Sequence, residues 1–152
     1  MNNFRNNKGF TALTAAIIAS VVLSLGIAIL NITTKEIRLS SFSRNSTSAF
    51  YTAGSGIECA LYWDKEESFA TSSQSNPDNS IECFGASTSP SVVSSDGSSA
   101  TTEFEIENTT TDTCVLVQVE KDTEGTTIES RGYSTCDEES ERRLERGLRV
   151  NY

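Results

Sequence analysis

The chain has 152 residues, 12 of them basic and 21 acidic, with no histidine and a net charge of −9. An acidic balance argues against nucleic-acid binding, which needs clustered Lys and Arg to neutralise phosphates. Without histidine the commonest general base and metal ligand is missing, so a catalytic site would have to rest on Ser, Cys, Asp or Glu.

In chain order, the first element is a polar, basic leader, MNNFRNNKG, carrying Arg5 and Lys8 over residues 1–9. From Phe10 to Ile32 there follow 23 residues without a charge, FTALTAAIIASVVLSLGIAILNI. As a helix rising about 1.5 Å per residue, this run spans roughly 34 Å and is long enough to cross a hydrocarbon core. Arg5 and Lys8 ahead of it favour a single-pass topology with the N-terminus cytoplasmic and the rest of the chain outside. The run is long for the apolar core of a secretory signal, and the NITTKEIRLS that overlaps its end offers no Ala-x-Ala cleavage site. A plain single-pass anchor fits the composition as well.

The apolar pattern continues past Ile32. Ile37, Phe42, Ala49, Phe50, Ala53, Ile57, Ala60 and Leu61 recur mostly at three- and four-residue steps, and no proline occurs before Pro77. This predicts one helix from Thr11 to about Asp64, apolar all round over 10–32 and amphipathic over 33–64. Gly54 and Gly56 weaken it by about 1 kcal/mol each relative to alanine, or else serve close packing against a sheet. Tyr62 and Trp63 are expected beneath that sheet, where aromatics at helical spacing usually lie.

Residues 65–152 are left for a small head. Between Thr71 and Thr102, 15 of 32 residues are Ser or Thr, with Pro77, Gly85, Pro90 and Gly97 among them, which predicts a surface loop. Within it SIECF is a short strand or a tether to the helix. TTEFEIEN then alternates Phe104 and Ile106 with glutamates, and CVLVQVEK sets Val115, Val117 and Val119 on one face. A turn at Asp122–Gly125 joins the latter to TTIESRGYST as a hairpin. A last strand is expected in RRLERGLRVNY, with Leu144, Leu148, Val150 and Tyr152 at even positions. The fold class is therefore α+β, a long helix packed on a small antiparallel sheet.

A head this small usually needs staples. Outside the cytoplasm, Cys59, Cys83, Cys114 and Cys136 can supply them as disulfides, and four cysteines allow three pairings. The preferred pairing is Cys59–Cys83, tying the helix end to the Ser-rich stretch, with Cys114–Cys136 tying the hairpin strands.

Other motifs carry little chemistry. Glu66-Glu67 and Asp137-Glu138-Glu139 read as solvated charge, and SSDGSS and KDTEG lack the regular alternation of a calcium loop. The sequons at Asn31, Asn45 and Asn108 are frequent chance matches in so Ser/Thr-rich a chain. No enzyme activity, cofactor or metal is expected.

The N-terminal residues resemble the class III signal of type IV pilins and pseudopilins: a short basic leader, Gly9 at the junction, Phe10 next, then an apolar helix running on into a head. The segments TTIESRGYSTC and RRLERGLRVNY are similar to the closing strands of minor pilin heads. The resemblance implies cleavage between Gly9 and Phe10 by a prepilin peptidase, N-methylation of Phe10, and retention of the helix. It implies residence in the inner or cytoplasmic membrane before assembly, then contact with other pilin subunits through the helix in a cell-surface filament. Ala15, Ala16, Ala19, Gly26 and Ala28 would let those helices approach closely.

Major pilins carry glutamate at the fifth mature position, which here is Thr14. A minor subunit, at the tip or initiating the filament, fits that departure; a tolerated substitution, its hydroxyl bonded to an upstream carbonyl, fits it too. The function implied is structural, with surface display supporting adhesion, motility or DNA uptake. A minor pseudopilin of a type II secretion-like system and a membrane-anchored extracellular binding domain without a filament are the alternatives.

Overall fold

The computed structural model describes residues 8–71 and 80–152. The fold is α+β: among the described residues there are one helix, α1 (Lys8–Lys65), and seven strands in two antiparallel sheets. The chain divides into two units, one ending at Ser41 and the other running Phe42–Tyr152.

No proline interrupts α1, and its last turn is closed by a specific cap. Ser68 N–H donates to Trp63 O and Glu67 N–H to Asp64 O, each at 3.1 Å, with Glu67 at φ 55°. This left-handed residue followed by paired back-bonds satisfies carbonyls that the helix end would otherwise orphan. Lys65 in the last turn complements the negative end of the helix dipole.

Strands β1 (Ile81–Cys83) and β2 (Ala86–Thr88) make a small hairpin. Strands β3 (Ser91–Ser95), β4 (Ala100–Asn108), β5 (Thr113–Lys121), β6 (Thr126–Tyr133) and β7 (Glu145–Asn151) form the larger sheet in the order β3-β4-β5-β6-β7. The register sets Phe104 opposite Val117, Ile106 opposite Val115, and Val119 opposite Ile128, so the alternating apolar residues meet on one face. These six are buried together with Ile57, Ala60, Phe69 and Ile81, and the Phe69 and Phe104 rings stack with centroids 5.6 Å apart. At about 1.5–3 kcal/mol for each large apolar side chain taken out of water, this cluster is the main source of the head's stability.

Turns carry their own fixings. Asp122 Oδ1 accepts from the backbone N–H groups of Glu124 and Gly125 at 2.7 and 2.8 Å, closing the β5–β6 hairpin where the sequence places it. Asp96 does the same for Ser98 and Ser99 between β3 and β4. SSDGSS and KDTEG, which lack the alternation of a calcium loop, thus contain local aspartate-closed turns.

Three expectations need correction. The stretch 71–102 is not simply a surface loop: its described part contains β1, β2, β3 and the start of β4, and Ile81, Ala100 and Thr102 are fully buried. Threonine suits a pleated strand, and the Thr102 hydroxyl accepts from Ala70 N–H at 3.2 Å, so its burial leaves no unmet polar group. Residues 72–79 of that stretch lie outside the described residues.

The buried stripe of the helix is also narrower than the apolar pattern predicts. Ala49, Ala53, Gly56, Ile57 and Ala60 are buried, whereas Ile37, Phe42 and Phe50 are exposed. The reason is close approach. A Cβ on Gly132 of β6 would run into the Ala49 carbonyl oxygen and the Ala53 backbone nitrogen. One on Gly56 would sit 2.5 Å from Ser130 Oγ and 2.6 Å from Val115 Cγ2. Only small residues fit where helix and sheet backbones come so near.

Of the aromatic pair at the helix end, Trp63 packs against the core as expected. Tyr62 is 62 % exposed.

Candidate functional site

Among the described residues, α1 is the one helix long and apolar enough to cross a membrane, and the most apolar part of it is wholly unburied. Phe10 is 73 % exposed and Leu30 67 %, and Leu13, Ile17, Val21 and Ile27 are exposed as well, so every side of this part of the helix presents apolar surface. In water such a surface is unfavourable at about 25 cal/mol per Å². A hydrocarbon surround removes that cost.

The hydroxyls of Thr14, Ser20, Ser24, Thr33 and Thr34 suit a hydrocarbon surround because each of these returns its proton to the helix. Thr14 Oγ1 donates to Phe10 O at 3.1 Å and lies 3.0 Å from Thr11 O. Ser20 donates to Ile17 O and Ser24 to Val21 O, each at 2.8 Å, while Thr33 and Thr34 donate to Ile29 O and Asn31 O at 3.0 Å. A backbone that satisfies itself and hydroxyls that lean on it leave few donors needing water.

Of the small residues, Ala15, Ala19 and Gly26 fall within about 40° of one another on the helix circumference at 3.6 residues per turn. Ala16 and Ala28 point elsewhere by the same count, so three of the five expected packing residues share one stripe. Lys8, Gly9 and Phe10 occupy the first turn of α1, which places the expected scissile bond at the helix start. The leader residues before Lys8 lie outside the described residues.

The head is stapled twice. Cys59 on α1 is bonded to Cys83 on β1, and Cys114 on β5 to Cys136 beyond β6, with Cα separations of 6.1 and 5.1 Å. The register sets Cys114 across from Tyr133, which brings Cys136 within reach just past the strand end.

A third tie was not legible in the sequence. The Asp64 carboxylate at the end of α1 is met by Lys121 Nζ at 2.7 Å, and it accepts from the Tyr152 hydroxyl at 2.6 Å. Partial burial, the hydrogen bond to Asp64 and the charge of that carboxylate push the Tyr152 phenol up to about 12. Asp96 lies at the other extreme. The backbone N–H of Ser99 and the hydroxyl and N–H of Ser98 hold its carboxyl at about 2.

The remaining carboxylates are spread. Glu66 and Glu67 follow the helix on the surface, and Asp137 Oδ1 accepts from Glu139 N–H in a turn. Among the described residues, no group of three or more Cys, Asp or Glu converges to hold a metal ion.

Phe84 ends the SIECF stretch. It stands half-exposed at φ 58° in the turn between β1 and β2, beside Gly85 at φ 75°. The Phe-Gly dipeptide was its only local sign.

The fold, a long apolar N-terminal helix packed on an antiparallel sheet, is compatible with that of type IV pilins. No protein-family model matches the chain, and no curated protein or solved structure is significantly similar to it.

Proposed function

We propose that the chain is a minor, tip or initiating subunit of a type IV pilus-like filament, made as a membrane-inserted precursor and displayed on the cell surface. One observation carries this reading. The helix whose last turns lie on a disulfide-stapled sheet carries, from Phe10 to Ile32, an uncharged segment with apolar side chains exposed on every face and the hydroxyls of Thr14, Ser20 and Ser24 turned back on its own carbonyls. That surface needs a cover, and the proposal gives it two in succession: the bilayer before assembly and the helices of neighbouring subunits afterwards.

In this reading the head lies outside the cytoplasm, where disulfides persist. Thr14 offers a hydroxyl already engaged with Phe10 O and Thr11 O, and no negative charge, to a neighbour's terminal amine. A subunit with no other ahead of it has no need of one, because a carboxylate in hydrocarbon is costly unless paired. The biological output is assembly and display in support of adhesion, motility or DNA uptake.

The test is intact-mass and N-terminal analysis of the protein from its native membrane. The expected species starts at Phe10 and carries one added methyl group. A start at Met1, or a cut beyond Ile32, overturns the proposal and leaves an anchored or exported domain.

A further inference from the structure

We infer that the groove between the end of α1 and the β1–β2 hairpin binds a cationic side chain, arginine foremost, presented by a partner polypeptide; this goes beyond assembly through the apolar helix. The groove has a volume of about 290 Å³ and lies open to solvent. One wall is a helical stripe bearing Glu58, Tyr62 and Trp63, and the other is the hairpin with Glu82 and Phe84. The Cys59–Cys83 disulfide fixes the two walls to each other.

The rings are held in place by the fold. Trp63 donates through Nε1 to the Glu82 carbonyl at 3.2 Å, and Tyr62 packs edge-on to Trp63 with centroids 5.4 Å apart. Tyr62 is 62 % exposed and Phe84 50 %. Glu82, between the buried Ile81 and Cys83, and Phe84, in the turn that follows, both line the groove. At φ 58° Phe84 occupies a turn position that ordinarily takes asparagine or glycine, so backbone preference does not explain a large ring there.

Charge selects the occupant. No basic residue lines the groove, and among the described residues neither Glu58 nor Glu82 forms an ion pair. Aromatic faces carry negative potential and attract cations, and two carboxylates beside them add to that attraction. A guanidinium uses both features at once, stacking flat on a ring while its N–H fork meets a carboxylate. The groove's size suits one long side chain better than a whole drug-sized ligand. A neutral oligosaccharide could also stack on these rings, but it would gain nothing from the carboxylates' charge.

Trp63 is the single tryptophan of the chain, so its emission reports on the groove directly. The full chain in detergent micelles is titrated with a short Gly/Ser peptide holding one central arginine, and with the same peptide holding citrulline, its neutral isostere. A saturable change with the arginine peptide is expected, weakening as salt is added, with the citrulline peptide at least about tenfold weaker. Glu82→Gln should weaken the arginine peptide by about fivefold. Phe84→Asn should do likewise while keeping or raising the unfolding midpoint, because asparagine accepts a positive φ. Equal response to the two peptides, no response to arginine at millimolar concentration, or a response to chitotriose alone would each overturn the inference.

Discussion

Between Phe10 and Ile32 the helix carries its bulky apolar side chains outermost, whereas between Phe42 and Lys65 the side chains it hides most completely are alanines, Ala49, Ala53 and Ala60. Hydropathy alone would assign the core to the first stretch. Packing assigns it to the second, where the helix lies close over Gly132 and the contribution of each position depends on how little space it takes. The same secondary structure thus carries two different surfaces. One stretch presents apolar area outward on every side, and the other offers a fit to a sheet.

The largest test of this contrast removes the staples. Each disulfide closes a loop with a sequence separation of 24 or 22 residues, worth roughly 3.5 kcal/mol in the chain-entropy model. Replacing all four cysteines with serine therefore removes about half or more of a small domain's usual stability. The head should lose its near-ultraviolet circular dichroism while helical signal from the apolar stretch persists in micelles. Loss of both signals together, or of neither, breaks the contrast.

A smaller test places the same substitution in each stretch. Ala53→Leu forces a larger side chain against the Gly132 backbone and should cost about 3 kcal/mol, read from the denaturant midpoint of the head. Ala19→Leu adds bulk where the helix is already exposed and should leave that midpoint within about 0.5 kcal/mol of the parent. Equal effects would show that crowding is not what distinguishes the two.

The smallest effect concerns alkaline pH. Because the folded Tyr152 phenol is raised from 10.0 to about 12, its contribution is fully present below the ordinary value and is lost as pH rises through the folded one. The difference in unfolding midpoint between the parent and Tyr152→Phe should be constant below pH 10 and shrink towards pH 12. An unchanging difference across that window would separate the Tyr152–Asp64 contact from the titration.

Local patterns exposed much of this architecture. An uncharged run, alternating valines and an Asp-x-x-Gly turn each depend on neighbours in the chain, so α1, β4, β5 and the β5–β6 hairpin were readable. The helix's narrow packing stripe was not, since it depends on Gly132, far along the chain from Ala49 and Ala53. Phe42 and Phe50 obey the helical period without facing the sheet. SIECF, one of two readings of which was a strand, holds β1, while composition hid β2 and β3, where serine and threonine look like loop but tolerate a short strand. The Asp64 tie joins residues 64, 121 and 152, and no short window contains all three. At the candidate site the apolar segment was plain, while the groove beside Phe84 needs two walls brought together by a disulfide.

The strand order leaves β3 and β7 as the two margins of the five-stranded sheet. Free margins invite a neighbouring chain to add a strand and continue the ladder. Here β3 is five residues long, with an irregular register between Val92 and Ser94, and β7 exposes Glu145, Arg146 and Arg149. Among the described residues, neither margin is therefore a good template for edge-to-edge pairing with a second sheet.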